Sequence, residues 1–250
     1  MNKKNGYIKF LLPILIIFFW FIFTYTGKVP ETSLPKLSSV KDSFIEMIKS
    51  GQLYADLSLS LRRVLAGFFL SSLIGILLGI FMGISHKIKE FFQLTLTAIR
   101  QIPMIAWIPL IILWAGIGEL SKIVVILFAA TFPIIVNTMS GVDSTSETYL
   151  EVAKIYGLSK KDTFFKVYLP SALPNIFTGL RLGLSSSWMA VVASELIASS
   201  SGIGYRLNDA RSLMRSDVVI VCMIVIGLIG LLMDKLIVLI SHELTPWKKN

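Results

Sequence analysis

The chain has 250 residues, 54% of them hydrophobic and 16% charged, with a mean hydropathy of +0.75, which excludes a soluble domain. Its net charge of +9 does not indicate nucleic acid, because Lys and Arg stand in short clusters between apolar runs and form no basic face interleaved with aromatics. One cysteine, Cys222, and two distant histidines, His86 and His242, supply neither a disulfide framework nor a metal-ligand pair.

In chain order, the first apolar run covers residues 8–26 behind a basic start. No small-x-small cleavage site follows it, so it reads as a retained span and not as a signal peptide. Residues 27–63 carry prolines and polar side chains and read as a loop, with one short amphipathic helix near residues 40–49. A second span, 64–84, places Gly67, Ser71, Gly75, Gly79 and Gly83 four residues apart. This strip of small residues lets a neighbouring backbone approach closely, the usual basis of helix packing in lipid.

The third span, 92–115, contains Pro103 and Pro109, either of which can break a helix. A fourth span at 123–139 precedes a polar stretch, and 176–198 and 218–240 complete the set. Gly179, Gly183 and Ser187 repeat the small-residue spacing in the fifth. The expected fold class is therefore an all-α integral membrane protein of about six transmembrane helices, since runs of roughly 20 apolar residues cross a bilayer as helices.

Lysines set the expected orientation. Lys3, Lys4 and Lys9, then Lys87 and Lys89, then the group at 154–166, then Lys248 and Lys249 all fall on one side of a six-span chain. Against this, Lys28, Lys36, Lys41 and Lys49, and later Arg206, Arg211 and Arg215, fall on the other. Both termini and the polar stretch are nonetheless placed in the cytoplasm.

Two ionisable residues stand out within the spans, Glu195 and Asp234. Asp234 adjoins Lys235 and reads as an interfacial pair with it. Glu195 reads as either a structural hydrogen-bond partner or a docking residue. Ser185, Ser186, Ser187 and Trp188 offer hydroxyls beside an indole, suited either to small-residue packing or to contact with a polar headgroup in transit. Ser186, Ser187, Trp188 and Glu195 are accordingly the candidate pathway residues.

The polar stretch, "STSETYLEVAKIYGLSKKDTFFKVYLP", reads as a short helix. Ser144 and Glu147 have capping-box spacing, Gly157 suits a left-handed stop, and Pro170 opens the next span. Glu147, Glu151 and Lys154 share one face, while Tyr149, Val152, Ala153 and Tyr156 share another. Here the sequence resembles the inner-membrane permeases of binding-protein-dependent ABC importers, whose signature is Glu-Ala-Ala, three residues, Gly, nine residues, Ile, one residue, Leu-Pro. Glu151, Val152, Ala153, Gly157, Val167, Leu169 and Pro170 keep every spacing, with Val152 and Val167 as conservative departures. "RRVLAGF", "IRQIPMIAWIPLIILWAGIGELSK", "FPIIVNT", "LPNIFTGLRLGL" and "SSGIGYRLNDAR" extend the likeness toward the subfamily handling aliphatic sulfonates, taurine and nitrate.

The resemblance implies a type I ABC importer permease fold, with an N-terminal anchor and outer loop at 1–57 and a five-span core at 58–245. It implies a coupling helix near 144–168 in which Glu151, Ala153, Gly157, Leu169 and Pro170 contact an ATPase subunit. It also implies a second permease copy as a homodimer, an extracytoplasmic substrate-binding protein and a bacterial cytoplasmic membrane. ATP and Mg belong to the partner ATPase, with no cofactor or metal on this chain. Two further observations agree. No phosphate-loop motif is present, and no Ser/His/Asp or paired-carboxylate arrangement suggests an enzyme. The competing class is an ion-gradient-driven carrier, kept open by Pro103 and Pro109 as possible midplane breaks; a passive channel lacks a ring of charged residues.

Overall fold

The computed structural model describes residues 8–26 and 29–246. Lys3, Lys4, Lys28, Lys248 and Lys249, used above for orientation, lie outside them. The described chain is helical: α1 (Ile8–Tyr25), α2 (Leu37–Lys49), α3 (Gln52–Ile84), α4 (His86–Arg100), α5 (Met104–Ala115), α6 (Glu119–Asp143), α7 (Glu147–Ile155), α8 (Lys160–Thr163), a π-helical turn (Phe164–Tyr168), α9 (Leu169–Ala198), α10 (Ile203–Ser212) and α11 (Ser216–Leu244).

The bundle is organised around α6, which packs on α3 along one side and on α9 along the other. The small residues of α3 make the first contact possible. A Cβ on Gly75 would lie 2.7 Å from Ile134, on Gly79 2.6 Å from Thr138, and on Gly83 2.6 Å from Val142. A ridge of side chains on α6, also four residues apart, thus seats in the glycine row, and α3 and α6 run parallel. Gly179 and Gly183 of α9 meet the same α6 helix near Ile134, with reversed direction. The expectation that these glycines serve packing holds.

Among the described residues, four helices are long and apolar enough to cross a membrane without interruption: α3, α6, α11 and the continuous 39-residue run Lys160–Ala198. The expected third span is different. Residues 92–115 do not form one helix: α4 and α5 meet at 99° across Gln101–Pro103. Pro103 holds an extended ψ of 133° at the start of α5, and the residue before a proline disfavours the helical conformation. Pro109, by contrast, lies inside α5 without interrupting it. Six expected crossings become four continuous helices, one bent pair and the 18-residue α1, whose apolar side chains are mostly exposed.

The loop expected up to residue 63 is also shorter than its composition suggests. The amphipathic helix is present as α2, but α3 starts at Gln52, immediately after Gly51 turns the chain with φ +73°. Its 33 residues measure about 50 Å, more than the ~30 Å hydrocarbon core, and residues 57 and 58 lie within its second turn. The polar residues Asp56, Ser60 and Arg63 are buried on one face of that helix.

Candidate functional site

Two ends of the bundle carry chemistry. At the end where α6 stops, Ser144 Oγ donates to Gly141 O and closes α6, so the expected capping box with Glu147 does not form. Ser146 precedes α7 instead, without a side-chain cap. The stop at Gly157 is as expected: φ is +67°, Gly157 N–H donates to Lys154 O at 3.0 Å, and Leu158 N–H donates to Ala153 O at 3.0 Å. This is the Schellman pair of bonds. The chain then re-enters helix at α8, where Ser159 Oγ accepts from Asp162 N–H at 3.1 Å.

Pro170 does not open the following helix. It lies within a run that is helical from Lys160, and the π-turn just before it supplies Leu169 N–H to Phe164 O. The wider turn accommodates a proline ring that would otherwise crowd the preceding carbonyls.

Between α7 and the entry to α9 lies a groove of about 660 Å³, lined by Tyr149, Val152, Ala153, Leu158, Val167 and Pro170 among others. Of the amphipathic α7, only Ala153 is buried. Tyr149, Val152, Ile155 and Tyr156 are exposed apolar side chains, Tyr156 by 80%. Glu151 is exposed beside them, Pro170 is half-buried in the groove's far wall, and Leu169, also half-buried, points away from it and packs with Val142, Ala172 and Ile176. Lys87, Lys154, Lys160 and Lys161, at the same end, enter no ion pair among the described residues.

At the opposite end, α3, α6, α9 and the turn into α10 meet in a buried polar cluster. Arg63 uses all of its donors. Nε and Nη2 bind Glu119 at 2.7 and 2.6 Å, Nη1 binds Glu195 at 2.6 Å, and both Nη groups reach Ser201. Glu195 also accepts from Ser60 Oγ at 2.8 Å and from Gly204 N–H at 2.9 Å. Asp56 accepts from Arg206 Nε at 2.9 Å and Gly202 N–H at 3.2 Å, and Lys122 lies 3.3 Å from Glu119. Three carboxylates therefore face three cations. Gly202, at φ +104°, has no space for a side chain against the Glu195 carboxylate. Arg206 and Arg215, counted above against the orientation, are matched by Asp56 and by Asp217 and Glu46.

The four candidate pathway residues separate. Glu195 is enclosed in the cluster just described. Ser187 is buried with Oγ donating to Gly183 O at 2.9 Å, and Trp188 is packed with Nε1 donating to Ile226 O at 3.0 Å. Ser186 faces a cavity of about 390 Å³ at the α4–α5 break, walled by α6 and α9. Asp234 pairs with Arg181 and not with adjacent Lys235: the guanidinium grips it at 2.5 and 2.7 Å from α9. The hydropathy reading passed over both Arg181 and Arg100, each inside an expected span; a count of arginines within apolar runs would have found them.

The family described as binding-protein-dependent transport system inner membrane component matches residues 73–245. A protein of Methanocaldococcus jannaschii named as an ABC transporter permease is 38% identical, the match covering 100% of this chain and 95% of that one. A Bacillus subtilis protein named as an aliphatic sulfonates transport permease is 36% identical over 100% of this chain and 91% of its own. Among solved structures, an amino acid ABC transporter crystallised with histidines superposes with a TM-score of 0.66 at 16% identity, covering 80% of this chain and 98% of its own. That likeness supports the fold of a type I importer subunit.

Proposed function

The chain belongs to the family of binding-protein-dependent transport system inner membrane components, and we propose that it is the translocating subunit of an importer driven by a separate ATPase that seats against α7. It is a multi-pass membrane permease. The observation that carries the proposal is the groove beside α7: a short helix, tied down only through Ala153, leaves Tyr149, Val152, Ile155 and Tyr156 uncovered next to the exposed carboxylate of Glu151. An apolar patch rimmed by charge marks a protein contact. The α7 end faces the cytoplasm, in keeping with its unpaired lysines.

Mechanically, α7 bridges the ends of α6 and α9, and those two helices are packed through glycines with no slack. Movement imposed on α7 by ATPase closure is carried along both helices as a rigid pair, giving alternating access. The cargo is a small oxyanion of the sulfonate, taurine or nitrate kind, delivered by an extracytoplasmic binding protein; the B. subtilis relative supports the sulfonate end of that range. A second copy completes the pathway, consistent with the exposed Leu113, Trp114 and Ile117 at the end of α5. The gradient-driven carrier loses its support with family membership.

The test is affinity purification of the tagged chain from its native cells in mild detergent. ATP hydrolysis should co-purify and be lost on Glu151→Lys. Recovery of the chain alone, free of ATPase, would overturn the docking reading.

A further inference from the structure

Arg100 ends α4, immediately before the 99° turn into α5. It lines two neighbouring cavities, the one of about 390 Å³ that Ser186 faces and another of about 180 Å³ against α3 and α6, which share Phe132 and Val136 as walls. Arg100 therefore borders both spaces. Arg63 and Arg181 both have their donors taken by carboxylates, but Arg100 has no carboxylate and no hydrogen-bond acceptor among the described residues. Its side chain is exposed at the end of α4, so the planar fork of donors is free to meet an anion.

The larger cavity supplies complementary groups. Asn137 donates one amide hydrogen to Pro133 O at 2.7 Å and keeps the second, and Ser186 Oγ has no partner among the described residues. Trp107, Phe128 and Phe132 form a continuous aromatic wall with ring centroids 5.5 and 6.4 Å apart. One fork-shaped cation, two neutral donors and an apolar wall, in a space of small-ligand size, match a tetrahedral or planar oxyanion carrying a short apolar stem.

We propose that this cavity is a binding station for the oxyanion head of the transported solute, gripped by Arg100 with Asn137 and Ser186 while its stem lies on the aromatic wall. The proposal rests on the permease reading above and adds to it a recognition site in the membrane subunit itself. Because Arg100 sits at the hinge between α4 and α5, occupancy ties the bend to the faces of α6 and α9 that ATPase-driven movement would displace.

The experiment is saturation-transfer NMR on the full chain in phosphatidylcholine nanodiscs, with ethanesulfonate as probe. A saturable signal is expected from the ethyl protons. Binding should weaken about tenfold or more with Arg100→Gln, be partly kept by Arg100→Lys, and be absent for the uncharged ethyl methyl sulfone. Should Arg100→Gln fail to fold, Asn137→Asp, which sets a negative charge in the same cavity, should weaken binding likewise. Equal binding by Arg100→Gln or Asn137→Asp, or by the neutral sulfone, would overturn the proposal. Loss of the signal when phosphatidylglycerol is added would assign the anion site to a lipid headgroup and overturn it also. ATPase co-purification is independent of these outcomes, so failure of the station and failure of the importer reading are separately visible.

Discussion

Arg63 Nη1 of α3 lies 2.6 Å from Glu195 Oε1 of α9, and the two side chains are exposed by only 2% and 0%. The pair joins the ends of two crossing helices that are 132 residues apart in sequence. Removing Arg63 leaves Glu195 buried with neutral donors alone, which costs about 3–5 kcal/mol, whereas replacing both by apolar residues is far milder and loss of Glu195 alone leaves Arg63 still paired with Glu119. Arg63→Met should therefore lower the thermal midpoint of the purified protein sharply, and adding Glu195→Leu should recover part of the loss. Size-exclusion thermal-shift measurements check this; equal loss in the single and double variants would show that the ion pair itself is not what matters.

The glycine row of α3 predicts a graded packing defect. At Gly79 a Cβ would lie 2.9 Å from Ile135 O and 2.6 Å from Thr138 Cβ, while at Gly227 of α11 nothing lies within 4 Å. Gly79→Val should destabilise by about 1–3 kcal/mol through overpacking, and Gly227→Ala should be close to neutral. Midpoints of unfolding in mixed micelles distinguish them.

Gly157 has no neighbour within 4 Å of a built Cβ, so a substitution there acts through its φ of +67° alone. A β-branched residue in that conformation is strained by roughly 1–2 kcal/mol, and asparagine by less. Gly157→Val is expected to abolish ATP-driven uptake with membrane insertion intact, and Gly157→Asn to retain part of it. Uptake in proteoliposomes beside a protease-protection assay for insertion checks both; normal uptake by Gly157→Val would count against α7 as the coupling element.

Arg181 and Asp234 tie α9 to α11 by two hydrogen bonds, but their side chains are 50% and 35% exposed. Each is a charge within an apolar helix, where an unmatched member is disfavoured. Arg181→Asp and Asp234→Arg should each reduce yield modestly, with the double exchange restoring it. Yield of monodisperse protein is the readout.

The signature at Glu151 to Pro170 was readable because its geometry is local. A helix of nine residues, a glycine stop and a short return depend on neighbours in sequence, and α7 and Gly157 formed where the spacing placed them. Pro170 was misread for a local reason as well: a π-turn admits a proline inside a helix, and nothing in the residue pattern announces that turn.

Apolar length and four-residue periodicity are properties of single segments, so the residues alone specify a membrane protein of crossing helices, their small-residue faces and the polar segment between α6 and α9. That residues 52–63 are helix and not loop depends on contacts from distant parts of the chain. Asp56, Ser60 and Arg63 look like surface residues one at a time, since transfer cost is counted without a partner, yet Glu195, Gly202 and Arg206 satisfy them from the far end of the chain. The bend at Gln101–Pro103 has the same origin. Pro103 disfavours helix at Ile102 and interrupts the segment, but the 99° direction that the chain then takes belongs to the folded bundle, in which α5 packs on α6 and α9.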